Sequence, residues 1–164
     1  MATAWLGLGS NVNAESNIRA AIVELGGQFD AIELSPAYAS TAVGFEGDDF
    51  INLVARVETD MSPLGLRQYL RDLEDRYGRK RDVPKFSDRS LDIDILLYDD
   101  LVVLSPVLEI PRAEITKYAH VLKPLTDISP ELIHPTDRRS MREIWTNSGL
   151  SDASLKPLSL SSRA

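Results

Sequence analysis

With 164 residues, 43% of them hydrophobic and none of them cysteine, the chain suffices for one domain with a proper core, and it excludes disulfide staples, thiolate metal sites and cysteine nucleophiles. A net charge of −7 and a pI near 4.8 disfavour general attraction to nucleic acid or to an anionic membrane. The opening Met1-Ala2-Thr3-Ala4-Trp5-Leu6-Gly7-Leu8 has no charged leader, and nothing later approaches a run of about eighteen apolar residues, so we read a soluble cytoplasmic protein.

In chain order, Trp5-Leu6-Gly7-Leu8 predicts a short first strand, ended by a tight turn at Gly9-Ser10-Asn11. A helix follows, capped by Ser16, with Ile18, Ala21, Ile22 and Leu25 at helical spacing and Gly26-Gly27 as its stop. Ile32 and Leu34 mark a second strand running toward Ser40, and a polar, Gly-containing loop continues to Asp49. From Phe50 to Val57 the pattern alternates as a third strand, with Phe50, Asn52, Val54 and Arg56 on one face and Ile51, Leu53, Ala55 and Val57 on the other. Phe50 and Asn52 together offer a ring to stack on and an amide with both donor and acceptor, which suits a flat heterocycle; ordinary sheet packing is the competing reading.

Ser62-Pro63 starts a second helix whose buried stripe is Leu66, Tyr69, Leu70, Leu73 and Tyr77, and Gly78 ends it. A loop holding Arg79, Lys80, Arg81, Lys85 and Arg89 leads into a fourth strand, and Asp99-Asp100 turns it into a hairpin with Leu101-Val102-Val103-Leu104. The order βαββαβ predicts an α+β fold with a ferredoxin-like core and an added hairpin. Beyond it, Pro106, Pro111, Pro124, Pro130 and Pro135 leave only short pieces, and Ser140-Met141-Arg142-Glu143 opens a last short helix burying Ile144 and Trp145. Residues 1–147 read as a single domain, and the Ser-rich segment 148–164 as a mobile or loosely docked tail.

The fourth strand, Asp92-Ile93-Asp94-Ile95-Leu96-Leu97-Tyr98, carries the chemistry. Alternation puts Asp92 and Asp94 on one face, where two anions repel and lose hydration unless a divalent cation turns the cost into attraction. Mg²⁺ suits such a pair, because it is held by one or two carboxylates and leaves its other positions to water and phosphates. The basic loop directly before the pair adds guanidinium groups that neutralise a nucleotide's phosphates, and the combination is what phosphoryl transfer requires. Taken alone, Asp-x-Asp also serves to discourage edge pairing of a strand, and a basic loop is often a solvated connection. Found together between Arg79 and Asp94, they favour a site.

The chain resembles the 6-hydroxymethyl-7,8-dihydropterin pyrophosphokinases of folate biosynthesis from about residue 3 to about residue 146. The family hallmark stands here as Arg89-Ser90-Leu91-Asp92-Ile93-Asp94-Ile95; Leu6-Gly7-Leu8-Gly9-Ser10-Asn11, Phe50-Ile51-Asn52 and Glu74 through Gly78-Arg79 and Arg81 also match. The resemblance implies transfer of diphosphate from ATP to the pterin hydroxymethyl group, with release of AMP and with two Mg²⁺ ions held by Asp92 and Asp94. It assigns Arg79 and Arg89 to the transferring group, and Arg81, Lys85, Arg89, Arg112 and Glu74 to ATP. Ser40, Thr41, Val43, Phe50, Asn52, Phe86 and His120 would form the pterin pocket. It implies a monomer acting on small molecules. The chain departs from the family at Arg112, where a His is usual, at Tyr118, where an Arg is usual, and at His120, in place of an aromatic. These changes admit a re-specialised paralogue acting on another small molecule, and a non-catalytic ferredoxin-like binding module is the third reading. His134, between Ile133 and Pro135, reads as structural.

Overall fold

A computed structural model describes residues 1–40, 49–78 and 90–160. It is an α+β fold, with one antiparallel sheet, a separate two-stranded ribbon and four α-helices among the described residues. Strand β1 (Ala2–Ser10) lies in the middle, flanked by β4 (Phe50–Thr59) and β5 (Asp92–Tyr98), and the sheet order is β5-β1-β4-β3-β8. Here β3 is Ala37–Ser40, β8 is Lys156–Leu158, and β2 (Ile32–Leu34) pairs with β4 beside β3.

Helices α1 (Ala14–Gln28) and α2 (Pro63–Arg76) bury Ile18, Ala21, Leu25, Leu66, Leu70 and Leu73 against one face of the sheet, whose share of the core includes Leu6, Leu8, Leu53, Ile93 and Ile95. Among the described residues the opposite face is only partly covered. There α3 (Ala119–Ile128) and α4 (Met141–Asn147) close Leu122, Leu125, Met141 and Ile144 over Trp5, Val54, Leu96 and Leu97. Leu96 sits in a β-bulge, since Trp5 pairs with Leu97 while Leu6 pairs with Ile95, and both Leu96 and Leu97 join this second core. The rest of that face, toward the starts of β4 and β5, is where the polar side chains of Asn52, Asp92 and Asp94 emerge.

Local signals fixed some elements as expected. The Ser62 hydroxyl accepts from the Gly65 amide at 3.1 Å, and Ser140 with Glu143 completes a capping box. Other elements differ. Helix α1 starts from Asn13, in left-handed backbone at φ 45°, and not from Ser16; asparagine tolerates that conformation. It also runs through Gly26-Gly27 to Gln28, because Phe29 beyond them is buried, edge-on to Tyr69 at 5.9 Å. The second strand is broken at Ser35-Pro36 into β2 and β3; the buried Ser35 bonds Val54 through both its amide and its hydroxyl, at 2.8 Å each. Among the described residues β5 has no hairpin partner: Val103–Leu104 (β6) pairs with Glu109–Ile110 (β7), while Asp99 turns back to bond Thr3 of β1. In the Ser-rich tail, Lys156–Leu158 pair with β3 and Leu155 is buried, so this segment is docked through residue 160.

Candidate active site

Two rows of the sheet build the site. Directly opposed residues in neighbouring strands share a face, and the register aligns Asp92 with Gly9, Gly9 with Asn52, and Asn52 with Tyr38. The next row aligns Asp94 with Gly7 and Gly7 with Val54. On the far side of Asn52, Phe50 pairs with Ser40. The acid pair of β5 and the Phe50/Asn52 pair of β4 therefore face the same way across a strand that offers only glycine. A Cβ at Gly9 would stand 2.7 Å from Asn52 Oδ1, and one at Gly7 would stand 3.2 Å from Leu96 Cδ2. The missing side chains leave room for the Asn52 amide over Gly9 and for Leu96 over Gly7, a role that the sequence pattern of a strand and turn did not reveal.

Three anchors hold the acid strand. The Ser90 carbonyl, at its entrance, accepts from the Ser10 hydroxyl at 2.5 Å and from Asn17 Nδ2 at 2.9 Å. Glu74, buried on the last turns of α2, accepts the Ile93 amide at 2.6 Å. On the other side the Arg112 amide donates to the Leu96 carbonyl at 3.0 Å, which brings the Arg112 guanidinium to 4.0 Å from Asp94 Oδ2. Glu114 grips the same guanidinium, and Arg112 Nε is buried with no acceptor among the described residues.

These groups line a cleft of about 440 Å³ along the outer edge of β5. One wall is Arg67, Leu70, Arg71 and Glu74 of α2; the other is Ser105 through Glu109, with Asp92, Asp94 and Arg112 at its base. Burial, and then the negative charge of Asp92, push the Asp94 carboxyl up to about 7; Arg112 pulls it down, while Glu74 and Glu114 add to the rise. A buried carboxyl that resists ionisation in this way, with a second carboxylate beside it, offers hard oxygen donors whose mutual repulsion a cation relieves. The chemistry of this donor set fits Mg²⁺ with phosphates completing its coordination. The described residues contain no group of three or more His, Cys, Asp or Glu side chains that could hold a metal by themselves.

Of the residues expected at the site, the structure brings Asp92, Asp94, Glu74 and Arg112 to one cleft and places Phe50, Asn52 and Ser40 on the adjoining face. His120, on the first turn of α3, stacks on Tyr118 with ring centres 5.2 Å apart, and burial holds its imidazole below the ordinary value. Thr41, Val43, Arg79, Arg81, Lys85, Phe86 and Arg89 lie outside the described residues. His134 is structural: its Nδ1 accepts the amides of Thr136 and Asp137 at 3.2 and 3.0 Å. Glu114, Gly7 and Gly9 are the contributors that sequence reasoning missed as site residues.

The fold and the cleft define a small α+β enzyme domain. Solved Plasmodium falciparum HPPK-DHPS structures share this architecture: the wild type with SDX-DHP has a TM-score of 0.71 at 15% identity, covering 96% of this chain and 47% of that one. The chain thus spans about half the length of those solved chains. Residues 5–130 match the family model described as 7,8-dihydro-6-hydroxymethylpterin-pyrophosphokinase (HPPK), and the chain belongs to this family. The 2-amino-4-hydroxy-6-hydroxymethyldihydropteridine pyrophosphokinase of Aquifex aeolicus is 38% identical over 87% of this chain and 90% of its own length; that of Haemophilus influenzae is 33% identical over 84% and 88%. Folic acid synthesis protein fol1 of Schizosaccharomyces pombe is 31% identical over 85% of this chain and 20% of its own.

Proposed function

We propose that this chain transfers diphosphate from ATP to 6-hydroxymethyl-7,8-dihydropterin in folate biosynthesis. One observation carries the reading: across Gly9 of β1, the register aligns Asp92, one of an acid pair suited to magnesium and phosphate, with Asn52, which shares its face of β4 with Phe50, an amide and an aromatic suited to a pterin. Family membership supplies the reaction class.

In this reading the hydroxymethyl oxygen attacks the β-phosphorus of ATP, an O–P bond forms as the bond from that phosphorus to the α-phosphate oxygen breaks, and AMP leaves while the hydroxyl proton passes to solvent. Such a transfer needs in-line positioning and charge stabilisation more than covalent help. Asp92 and Asp94 would hold two Mg²⁺ ions, which when bound neutralise charge on the phosphates. Arg112, held by Glu114 and with Nε lacking an acceptor among the described residues, would meet a nucleotide oxygen. Arg79 and Arg89 would brace the transferring group, with Arg81 and Lys85 on the remainder of the triphosphate and Glu74 fixing the strand beneath it. Phe50 would stack on the pterin, Asn52 would bond its edge, and Ser40, Thr41, Val43, Phe86 and His120 would enclose it, excluding competing water.

The same reading takes residues 1–147 as one catalytic domain and the protein as a cytoplasmic monomer that acts on small molecules and not on nucleic acid or membrane. Among the described residues no helix is long and apolar enough to cross a membrane. Its core is the ferredoxin-like arrangement, a reading supported by the antiparallel neighbours β5-β1-β4-β3 with α1 and α2 on one face. The test is product analysis with purified chain, ATP, Mg²⁺ and the dihydropterin. AMP formed in step with pterin diphosphate supports the reading, and ADP contradicts it.

A further inference from the structure

We propose that the C-terminal strand β8 is a positioning element for the pterin side of the site: docked on the outer edge of β3, it sets affinity for the pterin and not for the nucleotide. The inference rests on the pterin reading above. Strand β3 is only four residues long and is cut off from β2 by Pro36, yet it forms the flank of the Phe50/Asn52 strand through the pairs Tyr38 with Asn52, Ala39 with Ile51 and Ser40 with Phe50. A short strand with one free edge frays readily. Here the outer edge is taken by β8, which pairs Ala37 with Leu158, Tyr38 with Pro157 and Ala39 with Lys156. The family model match ends at residue 130, so the family model does not account for this strand.

The tail has its own anchors. Leu150 packs on the α3/α4 core, Leu155 is 7% exposed, and Leu158 and Leu160 pack on the main core. Tyr38, between Asn52 and Pro157 in the register, donates its hydroxyl to Asp127 of α3, so β3 is clamped from the tail and from the helix at once. Proline has no amide hydrogen, so the pairing at Pro157 leaves the ladder bonds to Lys156 and Leu158. Lys156 is exposed, which makes its amide a handle on the ladder alone.

The experiment compares Lys156→Pro with Lys156→Ala in the full chain. Loss of the Lys156 ladder bond is expected to raise the pterin KM about fivefold while kcat and the ATP KM stay within about twofold, and Lys156→Ala, which keeps the amide, behaves as wild type. Hydrogen exchange should quicken in β3 and at Phe50 to Asn52 of Lys156→Pro, and stay unchanged in β5. Unchanged exchange in β3, an unchanged pterin KM, or equal losses toward both substrates each overturn the inference while the diphosphokinase reading stands. A wild-type chain that makes no AMP with the dihydropterin overturns the reading itself.

Discussion

Asparagine at position 94 separates the cost of the acid pair from its use. Asp94 is raised from 3.8 to about 7 by burial and by Asp92, so the folded protein holds its proton more tightly than the unfolded chain does. Stability from this group is therefore lost as pH rises toward and past 7, and ionised Asp94 is a burden on the fold. In a fully enclosed group the displacement would amount to about 4 kcal/mol. The side chain is 39% exposed, and solvent screening reduces this to about 1–2 kcal/mol. The attraction to Arg112 that asparagine gives up acts over 4.0 Å between partly exposed groups and offsets little. Asp94→Asn in EDTA should thus unfold about 2–8 °C above wild type at pH 8. The gain should shrink as pH falls through 7 and disappear by about pH 3, where the acid is largely protonated in both states. Thermal unfolding followed by circular dichroism across that range measures this, and the same variant should lose nearly all turnover. A lower unfolding temperature than wild type at pH 8, or a gain that does not vary with pH, would refute the argument.

Glu74→Ala removes the acceptor of the buried Ile93 amide and should destabilise the protein by about 1–3 kcal/mol in denaturant titration, with Glu74→Gln, which keeps an acceptor, losing less. Gly9→Ala drives a methyl group to 2.7 Å from Asn52 Oδ1 and should raise the pterin KM about tenfold with little change in unfolding temperature, because the atom that must give way is the end of a side chain. Steady-state kinetics against each substrate separates this from a general loss. Asp92→Asn should remove the stabilisation that Mg²⁺ with a non-hydrolysable ATP analogue confers on the wild type, a gain readable as a thermal shift.

The sequence revealed what depends on near neighbours. Alternation put Asp92 and Asp94 on one face and Phe50 with Asn52 on another strand's face, and the caps at Ser62 and Ser140 act within a single turn. Features that depend on distant partners were hidden. Nothing local says that β2 breaks at Ser35 because Val54 reaches it, that Gly26-Gly27 stay helical because Phe29 must be buried, or that Val103–Leu104 pairs with Glu109–Ile110. Gly9 looked like part of a turn, and its need for empty space follows only from the register with Asn52. Glu114 carried no motif, and its hold on Arg112 depends on a 3-10 turn after β7 that proline-rich sequence does not announce. The docked β8 was masked by its Ser-rich surroundings, since three residues give too little pattern to predict a strand.

Transfer of an intact two-phosphate unit is tested most directly with ATP labelled at both the β- and γ-phosphorus. Incubated with the chain, Mg²⁺ and 6-hydroxymethyl-7,8-dihydropterin, it should yield unlabelled AMP and a pterin product bearing both labels in equal amount. A pterin product carrying the γ label alone, or label recovered only as free phosphate, would contradict the account.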